Sequence, residues 1–278
     1  MLTILEKSAR VAGACIISYF HKESHITHKT SHQNLVTKAD TTSQSLIQQT
    51  ITDMLIQQGI RVSEIGFIGE ENLSTSNTTH MFVIDPLDGT NNFASGLDYF
   101  SVSIAYFKNG ILTDSVIYWP VRNILYFASK GKGAYKKDEH NTVKKLCVQD
   151  EFLENSVILT YISSRKKYHQ KTFTFIQNIL TYIRGIRLYG SICLDMVHLS
   201  DAENNIHIVY YAHAYLWDIA SAYLIINESG GICTDLSGKR IELDIASEIH
   251  EYELLAAHPN VMRELQNKLK LKKGISYM

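Results

Sequence analysis

Two aspartates at the end of an apolar run are the residues of this chain best suited to chemistry. Met81-Phe-Val-Ile84 reads as a short buried strand. It delivers Asp85 and Asp88, three residues apart, into a turn that Pro86 stiffens and Gly89 releases. A carboxylate at the end of a buried strand is costly unless paired or metal-bound. Two together repel, and a divalent cation relieves the repulsion. Carboxylate and carbonyl oxygens are the hard ligands that Mg²⁺ prefers. Gly89 and Thr90 follow at once, where a turn or helix begins and backbone N–H groups can face an anion. Metal-binding carboxylates beside an anion cradle point to phosphoryl chemistry. The plainer alternative for this hexapeptide alone is an Asx-turn with Asp88 as its cap.

Two more acidic positions bear on that choice. Ile68-Gly69-Glu70-Glu71 puts carboxylates at the end of another apolar run, one strand earlier. Asp218 follows Trp217 at the head of a helical stretch that Gly230-Gly231 ends. Singly, Glu70 is a surface turn residue and Asp218 a helix N-cap. Jointly, Glu70, Asp85, Asp88 and Asp218 would supply a two-metal site, with metals about 3.5–4 Å apart.

The elements that must position these groups fall into two halves. Leu2, Leu5, Ala9, Ala12, Ile16 and Tyr19 form the stripe of an N-terminal amphipathic helix. A polar stretch, His21 to Asn34, carries His21, His25, His28 and His32 at helical spacing and reads as a solvated loop rather than a metal site. A second helix is expected from about Thr42 to Gln58, stopped by Gly59. Runs at 100–107, 111–119 and 124–129, joined by hairpin-length turns, predict an antiparallel meander. Beyond about residue 150 strands and helices alternate, as in crossover units on a more parallel sheet. The division expected is 1–150, a helix pair plus antiparallel sheet with most of the metal ligands, and 151–278, an αβ half, packed as one unit.

Composition excludes several classes. The 278 residues carry 27 basic and 28 acidic side chains, a balance that offers no global field for nucleic acid or anionic lipid. Cys15, Cys147, Cys193 and Cys233 are far apart, which excludes a disulfide scaffold and fits a reducing cytoplasm. The longest apolar run, Val11 to Phe20, is half the ~20 residues that a spanning helix needs. Glu6 interrupts its approach and no small-residue cleavage site follows, so a retained helix is expected instead of a signal peptide.

Taken together, Glu70-Glu71 after glycine, the Asp85–Thr90 hexapeptide and Trp217-Asp218 resemble the three signature motifs of the inositol monophosphatase family, in order and in spacing. Val36-Thr37-Lys38-Ala39-Asp40, Gly131-Lys-Gly-Ala134 and Gly190-Ser191 extend the resemblance through nearly the whole chain. It implies a layered αβαβα sandwich of the α/β (α+β) class and a magnesium-dependent, lithium-sensitive phosphatase, usually dimeric. Carried over, Glu70, Asp85 and the Leu87 carbonyl would hold one Mg²⁺, and Asp85, Asp88 and Asp218 a second. A third would sit loosely near Glu70. Thr90, with Asp40 and Glu70, would position the attacking water, and the Gly89 and Thr90 N–H groups would hold the phosphate.

Asp88, Ser191 and Tyr211 fall on the substrate side of that resemblance. Tyr211 stands seven residues before Asp218, where the animal inositol enzymes carry a hydroxyl-binding glutamate, and Ile192 stands in place of an alanine. Losing a carboxylate acceptor weakens the case for inositol phosphate as the physiological substrate. Asn91-Asn92-Phe93 departs from the Lys-Glu-Phe of the nucleotide 3′-phosphatase branch. His198, His207 and His213 read as ordinary core or surface residues, and Cys193 and Cys233 as small apolar ones. Lys130, Lys132, Lys136 and Lys137 read as a solvated hairpin tip. The function expected is a Mg²⁺-dependent phosphomonoesterase acting on a small polyol or sugar-like monophosphate by in-line water attack. Fructose 1,6-bisphosphate and histidinol phosphate are alternative substrates. A regulatory protein of the transcription machinery is a competing class that the neutral charge balance disfavours.

Overall fold

The computed structural model describes residues 1–22, 26–31, 34–71, 73–75, 78–246 and 251–273. Helix α1 (Leu2–Tyr19) leads to a hairpin, β1 (Ile26–Ser31) and β2 (Asn34–Thr37), and then to α2 (Lys38–Gln57). Of the four histidines in that region, His25 and His32 lie outside the described residues, as does the side chain of His28. Helix α2 begins four residues before the expected Thr42 because Thr37 caps it. The Thr37 hydroxyl accepts the Ala39 N–H, and Asp40, three residues on, accepts the Thr37 N–H at 2.8 Å. Asp40 is therefore the reciprocal member of a capping box.

The first sheet holds β3 (Ile65–Gly69), β4 (Leu73–Ser74), β5 (His80–Asp88), β6 (Ser101–Lys108), β7 (Ile111–Trp119), β8 (Ile124–Ser129), β9 (Ala134–Lys137) and β10 (Val143–Lys145), with a short helix α3 (Thr90–Ala94) after β5. Its order among the described residues is β10-β9-β8-β7-β6-β5-β3-β4. The expected meander runs from β5 to β10, and β3 lies parallel to β5.

The second sheet holds β11 (Val157–Thr160), β12 (Gly185–Arg187), β13 (Ile208–Tyr215), β14 (Ile232–Thr234) and β15 (Glu251–Ala257), in the order β12-β11-β13-β15-β14. Its helices are α4 (His169–Ile179), α5 (Ile192–Ser200), α6 (Leu216–Glu228) and α7 (Pro259–Lys273). The sheet is mixed: β11 is parallel to β12 and β13, while β15 runs antiparallel to β13 and β14. The parallel pairs are those joined through α4 or α5, as a crossover requires.

Both sheets are covered on both faces, so their strands are apolar on alternating sides and not on one only. In β5, Phe82 and Ile84 pack against Leu5, Ala9, Ile47 and Ile51 of α1 and α2. Met81 and Val83 point the other way, into a layer with Met196 of α5, Ile219 and Ile225 of α6, and Val209 and Leu254 of the second sheet. On the far side, Ile158, Ile208 and Leu255 meet Phe175, Ile179, Val261 and Leu265 of α4 and α7. The result is helix pair, sheet, helix pair, sheet, helix pair: the expected αβαβα sandwich. Its largest core draws on residues before and after 150. Among the described residues no helix is long and apolar enough to cross a membrane.

Candidate active site

Strand alternation alone would put Asp85 and Asp88 on opposite faces, because they are an odd number of residues apart. The fold corrects this with a β-bulge. Asp85 pairs with Ser103 and Asp88 with Ser101, so β5 spends one residue more than β6 over this interval. Leu87 packs on the α1–α2 side with Phe93 and Phe100, and both aspartates face a cavity on the other. The expected turn is thus the end of a strand, and the bulge accommodates Pro86, which has no N–H to give to a ladder. Ser43 of α2 donates to the Pro86 carbonyl at 2.9 Å and holds the bulge in place.

The turn proper comes at Gly89. Its φ of 92° is left-handed, and a β-carbon there would lie 3.0 Å from the Tyr99 carbonyl oxygen. Thr90 then opens α3. Its hydroxyl faces two acceptors, Asp40 Oδ1 at 3.1 Å and the Leu87 carbonyl at 3.0 Å. Asp40 is fully buried behind Thr90, its other oxygen accepting the Thr37 N–H and the Thr37 hydroxyl at 2.6 Å.

Asp88 joins the two halves. It accepts the Ile192 and Cys193 N–H groups at 3.0 and 2.9 Å, the Ser101 hydroxyl at 3.2 Å and the Ser191 hydroxyl. Ser191 is the N-cap of α5, so the carboxylate rests on the positive end of that helix. Burial still pushes the Asp88 carboxyl above the usual range, against the pull of these donors. Asp218 is the third residue of α6, which starts at Leu216; Tyr215 is the N-cap and gives its N–H to Asp218 at 2.6 Å. Glu70 follows β3, and Gly69 lets the chain pass 3.0 Å from the Ile84 carbonyl, measured from the β-carbon that any other residue would have.

Glu70, Asp85, Asp88 and Asp218, with Leu87, Gly89 and Thr90, line one cavity of about 470 Å³. Asp85 is raised well above the normal carboxylate range by burial first, then by the charges of Glu70, Asp88 and Asp218. Such a cluster of repelling oxygens suits a hard divalent cation. The ligand atoms of Asp85, Asp88 and Cys193 lie within 4.8 Å of one another. Cys193 is buried as expected, and its thiol donates to the Asp218 carbonyl at 3.2 Å behind the carboxylates.

Two of the residues expected to bind substrate stand elsewhere. Ser191 reaches the cavity only through Asp88. Tyr211 is fully buried in the middle layer, and its hydroxyl donates to Asp195 Oδ2 at 3.0 Å, while Tyr99 donates to Oδ1 at 2.7 Å. It lines no part of the cavity wall; side-chain alternation in β13 carries it inward against α5. The lining also includes Tyr161, Ser163, Arg165, His213 and Tyr215, none of them flagged by a motif, and Trp217, which the sequence had singled out with Asp218.

Of the histidines, His198 and His207 are structural, contacting Asn204 at 2.8 Å and the Val157 N–H at 3.4 Å respectively. His213 was expected to be equally plain, yet it reaches the cavity. The lysine hairpin is tied down: Lys136 pairs with Asp201 at 2.7 Å, and the Gly131 and Gly133 N–H groups both donate to Glu228.

A fold of two packed sheets between three helix layers, with four carboxylates converging where the halves meet, defines a layered α/β protein with a polyacidic cleft. The chain belongs to the inositol monophosphatase family, whose model matches residues 1–270. It is 29% identical, over 84% of each chain, to the fructose-1,6-bisphosphatase/inositol-1-monophosphatase of Thermotoga maritima. It is 30% identical, over 97% of this chain and 95% of the relative, to the Nus factor SuhB of Pasteurella multocida. The crystal structure of the extragenic suppressor protein suhB from Bartonella henselae superposes with a TM-score of 0.83 at 25% identity, over 99% of both chains.

Proposed function

We propose that the chain is a Mg²⁺-dependent phosphomonoesterase acting on a small polyol or sugar-like monophosphate. The observation that carries this reading is the convergence of Glu70, Asp85, Asp88, Asp218 and Thr90 on one cavity. Glu70, Asp85 and the Leu87 carbonyl are assigned to one metal and Asp85, Asp88 and Asp218 to a second, with a weaker third near Glu70. Bound there, Mg²⁺ supplies charge neutralisation for the phosphate and a lowered pKa for water.

The chain's own residues supply position. Asp40, fixed by Thr37, accepts the Thr90 proton, so the Thr90 oxygen keeps its lone pairs for a water in the cavity. Glu70 is the second acceptor for that water. The Gly89 and Thr90 N–H groups, at the turn that glycine permits, are assigned to the phosphate oxygens. Lithium inhibition and a homodimer belong to the same reading. Sedimentation at several concentrations tests the dimer.

The test is phosphate release from a panel of phosphomonoesters with Mg²⁺, with EDTA, and with Li⁺ added. Asp88→Asn is expected to lower kcat by ~10³-fold or more. Near wild-type release by that variant would remove the assignment. A second reading rests on the name Nus factor SuhB carried by relatives such as the Pasteurella protein: a component of a transcription assembly. A stable complex with RNA polymerase, together with no turnover on any phosphomonoester, would place the chain there instead.

A further inference from the structure

Strand β13 changes phase near its end. Val209 and Tyr211 face the middle layer, and Ile208, Tyr210 and Ala212 the outer one. Regular alternation would send residue 214 outward, yet Ala214 faces the middle layer. The register explains this: Tyr211 pairs with Leu254 and Ala214 with Tyr252, so two residues oppose Glu253 alone. The bulge turns His213 out of both cores and into the cavity that holds Asp85, Asp88 and Asp218.

There the ring is 4% exposed, stacked on Tyr168 at 4.4 Å and edge-on to Tyr215 at 4.8 Å. Neither Nδ1 nor Nε2 has a hydrogen-bond partner among the described residues. Glu251 Oε1 is 3.7 Å from Nε2, beyond hydrogen-bond reach. That carboxylate is committed to Arg165 at 2.5 Å, Lys167 at 3.1 Å and the Tyr168 hydroxyl. A buried imidazole with two unmet polar atoms is unfavourable until a ligand completes it. Burial pushes its pKa down to about 4, with Arg165 and Lys167 acting the same way and Glu251 opposing. The ring is therefore neutral at pH 7, with one donor and one acceptor nitrogen. A hydroxyl matches it, because it can give or take the hydrogen bond. A second phosphate does not match: the ring carries no charge, Glu251 stands beside it, and Arg165 is already paired.

We propose that His213 is a specificity-determining residue that hydrogen-bonds a hydroxyl on the alcohol portion of the substrate, selecting a polyol monophosphate over a bisphosphate. The assignment rests on the phosphomonoesterase reading and gives His213 a substrate contact where the sequence had offered Tyr211. The experiment compares kcat/KM on myo-inositol 1-phosphate, on phenyl phosphate, whose alcohol portion has no further hydroxyl, and on fructose 1,6-bisphosphate. His213→Phe keeps ring bulk without polar atoms and is expected to lose ~10–100-fold on the inositol ester. Phenyl phosphate should change less than about threefold, and His213→Gln should recover part of the loss. Equal losses on both monoesters, no loss on either, or a wild-type preference for the bisphosphate overturns the proposal. If no ester is hydrolysed at all, the phosphatase reading fails separately. The ¹⁵N ring resonances of His213, recorded with Mg²⁺ and myo-inositol 1-phosphate, then decide: a shift sustains the assignment and unchanged resonances overturn it.

Discussion

Asp85 and Asp88 share one cavity but are stabilised differently. Asp88 has four donors and the end of α5, whereas Asp85 is buried among like charges and accepts the Leu87 N–H at 3.1 Å. The carboxyl of Asp85 keeps its proton in the native protein at pH values where the unfolded chain, near its ordinary 3.8, has lost it. The native state then binds more protons, so metal-free stability falls as pH rises through that window. Asp85→Asn removes the charge and keeps the shape. In EDTA the variant should melt about 3–6 °C higher than wild type near pH 7, while losing most of its stabilisation by Mg²⁺. Differential scanning calorimetry with and without metal checks both halves of that expectation. Asp40 and Asp218 teach a related point. Each is an ordinary N3 residue accepting its N-cap's N–H, and the same bond fixes a carboxylate that the proposed mechanism assigns to the site.

At the scale of elements, the site is built by departures from regular structure. The bulge in β5 brings Asp88 to the side of Asp85, and the bulge in β13 turns His213 into the cavity that both line. Each departure is held by a specific contact, Ser43 to the Pro86 carbonyl in the first case and Tyr161 to the His213 carbonyl at 3.1 Å in the second. The left-handed Gly89 is the hinge between β5 and α3. Gly89→Ala adds a strained φ and a contact with backbone, so it should cost roughly 1–3 kcal/mol in urea unfolding. Displacing Thr90 by a fraction of an ångström should also lower kcat by ~10²-fold with a smaller change in KM. A variant of full stability and activity would show that the turn is not what aims Thr90.

At the scale of the whole molecule, the cavity has one wall from each half. The middle core joins Met81, Val83 and Ala105 of the first sheet to Cys193, Ile219 and Leu254 of the second half. Tyr99 before residue 150 and Tyr211 after it share Asp195, and Asn92 reaches the Tyr189 carbonyl at 2.7 Å. With so much of the core in common, we expect near- and far-UV circular dichroism to report one coincident unfolding transition in urea. Separated transitions would mean that the division near 150 is a real boundary of folding. The amino-acid sequence by itself determined the fold class and the list of acids, because turn residues, apolar periodicity and the three signature motifs are local properties. It also identified Thr90 and Asp40 as partners through that resemblance. Only the tertiary structure decided which side chains face the cavity. Regular alternation carries Tyr211 into the core, and the one-residue bulge just beyond it turns His213 into the cavity without altering composition or periodicity enough to be read.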